Sequence, residues 1–471
     1  MSLERLVAIN EKAKREGRMP VRFGQTVIGR GVDMADKSKD VTISIPDRER
    51  SGHLGLFGTT RIGKTRLIEN IVEQDIRKGY NVVVVDPKGD IDLFSKLIQV
   101  SAEVGRLDEV MMLTPIYPDC SIKLDPLAHY YLEDELVDHV ISGIKSKEDY
   151  YIAIASEVTQ AVVAGLALQA RYQNKDLDLN FAMIKERSTY SDLTDFKAQL
   201  MLLKDSVPEV SEIIANLDQI LKSTPDFFSK VASSLRTMLS ALSSGNTGKI
   251  IGRARKNEFV DRFENGQGVI LFCNTGSLLA RRTAHIIGKV IISMIQSMVG
   301  RFFVAGKTLD PPLCIHIDEA HNVSYDGIQE LFSKGGGADA WVHYYTQSIA
   351  FIEKEIGPEA THAIIDCMNH LVFMKLNHPE TAQHVEDSSP DKTKFQYIIT
   401  PDDTVGRVTL REVDEKLITA ARVLDLSPRF FYMRSRSRWY KGRTEDTSPA
   451  YVEVTFPKVT GRDVLQSMER I

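Results

Sequence analysis

Residues 53–70 read HLGLFGTTRIGKTRLIEN. A short apolar run, His53 to Phe57, gives way to Gly58, Thr59, Thr60, Arg61, Ile62, Gly63, Lys64, Thr65 and Arg66; apolar residues then return at Leu67, Ile68, Ile71, Val72 and Ile76. The first run has the length of a buried strand, and the second spacing keeps one face of a helix apolar. Between them lies the spacing of a phosphate-binding loop. Its glycines let backbone N–H groups turn inward onto phosphate oxygens, and the following helix adds its positive end. In such a loop Lys64 reaches the β- and γ-phosphates, and the Thr65 hydroxyl ligates Mg²⁺. A nucleotide and Mg²⁺ are the expected cofactors. A chance glycine-rich turn is the alternative, and the flanking strand and helix argue against it.

Outward from the loop, Gly79 stands where a left-handed cap ends a helix, and Val82 to Val85 is a run suited to a strand buried on both faces. Residues 53–86 thus read as one βαβ unit. From 128 to 250 the pattern changes to helices: Glu148 to Tyr172, Ser191 to Lys204, Glu209 to Lys222, and one opened by Thr224-Pro225 that runs to about Leu242. The α/β pattern then resumes. Strands are expected at Gly268–Phe272, Leu313–Ile317, Ala340–Tyr345 and Leu371–Met374, with helices at Arg281–Val299 and Asn322–Ser333. An edge strand is expected around Phe430–Tyr440. Residues 1–45 carry a charged helix and short strand-like pieces at Val21–Phe23 and Val41–Ile45, and 441–471 read as a tail.

With 471 residues the chain is too long for one ordinary core. Hydrophobic content of 43% and charged content of 26% suit a soluble globular protein. A net charge of −5 argues against a generally basic nucleic-acid coat but leaves room for a local basic channel. Cys120, Cys273, Cys314 and Cys367 show no zinc spacing and read as reduced cytoplasmic thiols, Cys273 and Cys314 in the core. No signal peptide is visible, and no apolar run approaches the ~20 residues needed to span a bilayer. Ile286–Val299, the best candidate, is interrupted by Lys289 and Gln296.

Three further segments bear on the loop. Leu313-Cys-Ile-His-Ile-Asp318-Glu319 delivers two carboxylates at a strand end. In a phosphoryl-transfer site Asp318 holds the Mg²⁺ water shell and Glu319 polarises the attacking water. Gln347, closing the next strand, can sense the γ-phosphate; a plain polar strand end is the bland reading. Asp86, in Asp86-Pro87-Lys88-Gly89-Asp90, lies at the carboxyl edge beside the loop. It and Asp90 either orient Mg²⁺-bound water or cap the next helix. The cations Arg434, Arg436, Arg438, Lys441 and Arg443 alternate as on a strand with one solvated face, rather than as a nucleic-acid grip. His316 and His321 read as packing residues beside the acid pair.

These segments together resemble the type IV secretion coupling proteins, the TraD/TraG group of conjugative DNA pumps in the HerA/FtsK superfamily, and especially the TraD of integrative conjugative elements. The loop with Arg66-Leu67, Asp86–Asp90, an insert ending in Val231-Ala-Ser-Ser-Leu-Arg236, Ile317–Ala320 and Thr346-Gln347-Ser348 carry the likeness over about 45–440. The resemblance implies an α/β, RecA-like P-loop ATPase domain (46–127 and 251–440) with an inserted all-α domain (128–250). It implies a homo-hexamer at the cytoplasmic face of the inner membrane. This ring hydrolyses ATP, moves single-stranded DNA with its attached relaxase, and delivers it to channel proteins. Lys64, Asp318, Glu319 and Gln347 take the catalytic roles, with Thr65 and Asp318 at the metal. Many members place an arginine before the sensor strand, where this chain has Lys334-Gly335-Gly336-Gly337; Lys334, Arg281 and Arg282 are the candidates for that role. The family's usual membrane anchor is not expected in these residues. Two other readings stay open: a HerA/FtsK-like pump in another DNA-processing pathway, and a nucleotide-binding substrate receptor with little turnover.

Overall fold

The computed structural model describes residues 3–17, 24–145, 148–204, 207–400, 407–454 and 456. The strand-like piece expected at Val21–Phe23 lies outside them. After α1 (Leu3–Glu16) the chain forms a hairpin, β1 (Gln25–Asp33) and β2 (Asp40–Pro46). Then come β3 (Leu54–Phe57), α2 (Lys64–Arg77), β4 (Asn81–Asp86), α3 (Ile91–Glu103) and β5 (Val110–Leu113). Gly79 takes φ 77°, as its place after α2 predicts.

The helical insert follows. It holds α4 (Glu133–Ser142), α5 (Asp149–Tyr172), α6 (Phe181–Lys185), α7 (Tyr190–Met201), α8 (Val210–Ile220), α9 (Pro225–Val231), α10 (Ser233–Ser243) and α11 (Gly245–Thr247). The helix expected from Thr224 to Leu242 is two, broken at Ala232 (φ −80°, ψ 0°). The two stems of the insert are zipped: Leu124 N donates to Ile250 O (2.8 Å) and Asp125 N to Lys256 O (2.9 Å).

The chain returns through α12 (Glu258–Glu264), β6 (Ile270–Asn274), α13 (Ser277–Val304), β7 (Leu313–Ile317), α14 (Gln329–Lys334), β8 (Ala340–Thr346), α15 (Ile349–Ile356), α16 (Pro358–Asp366), β9 (His370–Phe373) and α17 (Pro379–Ser388). A two-stranded ribbon, β10 (Asp391–Thr400) with β11 (Arg407–Lys416), precedes α18 (Ala420–Leu424) and the hairpin of β12 (Phe430–Ser435) and β13 (Arg438–Thr444). The helix expected at Asn322–Ser333 shrinks to α14. Asn322-Val-Ser-Tyr-Asp-Gly327 is poor helix-forming sequence, and Gly327 adopts φ 101°.

Eleven strands make one sheet, ordered β2-β1-β13-β12-β9-β3-β8-β7-β4-β6-β5. From β9 to β5 the pairs are parallel, and the remaining pairs are antiparallel. Every residue of β3, β4, β6, β7, β8 and β9 is buried, as expected of parallel strands covered on both faces. The expected edge strand at Phe430–Tyr440 is corrected: it is a hairpin inside the sheet, with β1 and β2 outside it. Strands β1 and β2, from the stretch read as an N-terminal extension, are thus part of this sheet, and the last strand runs past 441 to Thr444. The cations expected on one solvated strand face do not share one: the chain turns between Ser435 and Arg438 with Arg436 at φ 53°, and Arg434 is half-buried in β12. In β13 Arg438 lies on the opposite face from Lys441 and Arg443, all three exposed while Trp439 is buried.

One apolar core fills one face of the sheet and continues into the insert through α13, where Ile286, Val290 and Met294 join Leu136, Val140 and Met238. By length and composition two helices, Tyr150–Tyr172 of α5 and α13, are apolar enough to cross a membrane, which corrects the expectation that none is. Their most apolar windows are 56% and 67% buried in the protein. At the amino end of the sheet a buried polar network ties distant segments together. Asp75 of α2 accepts from Arg50 Nη2 (2.7 Å) and contacts His316 Nε2 (3.0 Å); His316 Nδ1 lies 2.8 Å from the Tyr345 hydroxyl, and the Arg50 guanidinium stacks on Trp341. His316 is therefore a packing residue, as read. Cys273 and Cys314 are buried in the core.

Candidate nucleotide site

The carboxyl ends of β3, β8, β7 and β4 lie side by side, where Phe57 pairs with Thr346, Ile317 with Tyr344, and Val85 with Ile317. Ligands in open α/β sheets bind at this edge, at the strand-order switch. The loop leaving β3 is clasped on three sides. Gly58 N donates to Thr346 O (3.2 Å), Thr59 N to Lys375 O (2.9 Å), and Arg429 N to Ile62 O (2.8 Å). A Cβ on Gly58 would stand 2.6 Å from Ile62 Cδ1 and displace that side chain, and Gly63 holds φ 103°, a conformation that needs glycine. Thr60 and Arg61 are exposed at the loop's tip, and Thr65 is half-buried where α2 begins. First-turn amides of a helix have no intrahelical acceptor, so Lys64, Thr65 and Arg66 present free donors there. The Arg66 side chain itself turns away to Glu69 (2.7 Å).

Lys64 Nζ is buried and makes no hydrogen bond among the described residues; its nearest carboxylate is Glu319 Oε1 at 4.0 Å. Burial pushes this ammonium below its usual range, against the pull of Glu319 and Asp318. A buried cation without a hydrogen-bond acceptor is costly unless an anion is to be received. The residues present therefore fit a phosphate-bearing nucleotide.

Asp318 is buried at the end of β7, its carboxyl pushed up to about 7 by burial first and by the charge of Asp86 second, with Lys64 opposing. A bound cation would reverse that balance. Glu319 takes the left-handed conformation (φ 43°), which strains a residue with a Cβ and turns its side chain out of the strand. Its N–H donates to Asp318 Oδ1 at 2.9 Å. Gln347 Nε2 donates to Glu319 Oε2 at 3.2 Å, so the expected sensor and base already touch. His321 Nδ1 lies 3.1 Å from Thr346 Oγ1, and burial lowers its pKa. No group of three or more metal-ligating side chains occurs among the described residues, and Mg²⁺ at such a site takes few protein ligands besides phosphate. Asp86 accepts from the N–H groups of its own turn, Lys88 at 2.8 Å and Asp90 at 2.5 Å, and reaches the site through its charge on Asp318. Asp90 caps α3, accepting from Asp92 and Leu93 N–H.

Three residues at this edge escape a motif search. Asn274, the last residue of β6 and paired with Asp86, and Thr275 after it bury Oδ1 and Oγ1 with no hydrogen-bond partner among the described residues, and Arg429 packs on Gly63. The only sequence signal for the first two is their place after an apolar strand run. Of the candidates for the trans cation, Lys334 is exposed and paired with Glu330, while Arg281 and Arg282 line a cavity between body and insert. A larger cavity, about 1050 Å³, opens at the opposite, amino end of the sheet and holds none of the site residues.

A family model described as the TraM recognition site of TraD and TraG matches residues 312–396. No curated protein sequence matches the chain significantly. Among solved structures the chain is similar to the bacterial conjugative coupling protein TrwBdeltaN70 in its unbound monoclinic form, at 17% identity over 91% of this chain and 96% of that one, with a TM-score of 0.66. TrwB with the non-hydrolysable ATP analogue ADPNP matches at 16% identity over 91% and 97%, TM-score 0.62. TrwB with ADP and Mg²⁺ matches at 17% over 92% and 97%, TM-score 0.62. The coupling-protein fold thus runs through nine-tenths of this chain, and the resemblance to the TraD and TraG group carried by its motifs is borne out.

Proposed function

We propose that this protein is the ATP-driven coupling protein of a conjugative type IV secretion system. It recruits a relaxase-bound single strand, moves it through a homo-hexameric ring at the cytoplasmic face of the inner membrane, and delivers it to the channel. The observation that carries the reading is the buried, unbonded Lys64 ammonium facing Glu319 and Asp318 on a coupling-protein fold. The loop amides and Lys64 would hold the phosphates of ATP, with Thr65 and Asp318 at Mg²⁺. When bound, Mg²⁺ supplies charge neutralisation on the phosphate oxygens. The Glu319 carboxylate would accept the proton of the attacking water, and Gln347 aims it through their shared hydrogen bond. The segment matched to the TraM recognition model, from β7 into β10, supports a relaxosome protein as partner. The helical insert serves as the recruiting surface.

A receptor with little turnover is the second reading, favoured by the exposed Lys334, a poor substitute for an arginine fork. The test is ATP hydrolysis with and without long single- and double-stranded DNA. DNA-stimulated turnover is expected, reduced at least ~100-fold by Lys64→Ala and by Glu319→Gln, with nucleotide binding kept only in the latter. Binding without turnover in a formed ring would overturn the motor in favour of the receptor.

A further inference from the structure

A cavity of about 430 Å³ lies between the insert and the body, apart from the nucleotide loop. One wall is apolar, from Ile144 after α4 and Met238 of α10. The other is cationic, from Arg281, Arg282 and Lys289 of α13. Lys289 is only 6% exposed, and no hydrogen bond or ion pair to its ammonium is found among the described residues. The one carboxylate in the cavity, Glu355, is taken by Lys145. Ala280 breaks α13 (φ −142°, ψ 67°), so the long helix effectively restarts at Arg281 and points its positive end to the same place. Burial pulls the Lys289 ammonium down to about 8, Glu355 opposing and Lys145 adding to the fall.

These features ask for an anion with an apolar appendage. Three cations and a helix start suit a phosphodiester, and the Ile144–Met238 wall suits the face of a base. The volume is far too small for a duplex but takes an unpaired nucleotide swung out of a strand. We propose that this cavity receives one nucleotide of single-stranded DNA, its phosphate held by Arg281, Arg282 and Lys289 and its base against Ile144 and Met238. The inference rests on the DNA-translocation reading and names where the body and insert jointly grip the strand. Because α15 opens just after Gln347 and ends with Glu355 at the cavity, one helix spans both sites.

The test is fluorescence anisotropy of a labelled oligo-dT on the full chain without nucleotide, over a range of KCl. Lys289→Met keeps the volume, and the double variant Arg281→Gln/Arg282→Gln changes exposed positions, so the test survives if the first fails to fold. Affinity is expected to fall about tenfold or more, and the slope of log K against log salt to shrink by about 0.7 per cation removed. Binding of an ATP analogue by the Lys289→Met variant should stay unchanged. Wild-type affinity and slope in the variants would overturn the cavity and leave the motor standing. Loss of analogue binding together with oligo-dT binding would mark a structural role and overturn it. Failure of the wild type to bind any DNA would overturn both.

Discussion

The α/β body and the helical insert are held together in opposite ways. In the body, parallel strands pair across long stretches of sequence, and its polar contacts join residues far apart, such as Arg50 with His343 and Asp75 with His316. In the insert, three of the eight helices are started by their own neighbours: Asn180, Thr189 and Thr224 cap α6, α7 and α9 with their side chains. The body concentrates chemistry at one sheet edge, where strand ends fix side chains to the accuracy that catalysis needs. The insert puts little chemistry inside itself and contributes an apolar wall and a surface. A change in the body should therefore travel to the nucleotide site, and a change in the insert should stay local.

The strongest attempt to break this contrast is Asp75→Ala. It removes the carboxylate hydrogen-bonded to the buried Arg50 guanidinium, leaving only Asp47 Oδ1 at 3.7 Å; Arg50 holds the Asp75 carboxyl far below its usual range despite burial. A loss of about 3–5 kcal/mol is expected in urea unfolding of the body, with weakened ATP-analogue binding. Intact binding at full stability would show that the sheet does not depend on this network.

Next in size is a pH effect. Folded Asp318 holds its proton up to about 7, whereas the unfolded chain releases it near the ordinary carboxylate value. The folded state then binds more protons in between, so stability falls as pH rises from about 4 to about 7. Asp318→Asn should flatten that part of the nucleotide-free profile by on the order of 3 kcal/mol. A profile identical to wild type would mean that Asp318 is ionised throughout. The smallest effect is expected from Thr224→Ala, which removes the cap on Phe227 N–H (3.4 Å). About 1 kcal/mol should be lost from the insert's unfolding, with ATP-analogue affinity unmoved; a shift in affinity would show that the two regions are coupled.

Much of this was legible because both regions repeat a local rule. The valine run of β4, the loop spacing and the capped helices each carry their structure in a few residues, and the acid pair stands at the strand end where it was placed. What escaped depends on partners far along the chain. The stretch QTVIGRGVD of β1 does not read as a strand because of its glycines, yet Gly29 and Gly31 are needed where β13 approaches: a Cβ there would meet Arg443 O at 2.2 Å and Lys441 O at 2.0 Å. Interior β12 and β13 looked like an edge for the same reason, since nothing in their alternation announces β1. Of Asp86 and Asp90, it is Asp90 that caps the next helix, while Asp86 accepts from its own turn and raises Asp318 through its charge. Arg429 could not be found at all, because its contact with Gly63 exists only once the last hairpin is docked.

That docking has a consequence for how the protein is made. Arg30 and Glu445 pair across 415 positions, and Arg429 N–H closes on the phosphate loop from the same late segment. On the ribosome the insert can settle while its helices emerge, because its contacts are near in sequence. The phosphate loop must wait for a segment translated long after it, because Arg429 N–H closes on Ile62 O. A nascent chain therefore cannot finish its phosphate loop early, and one stalled in translation keeps that loop unclasped.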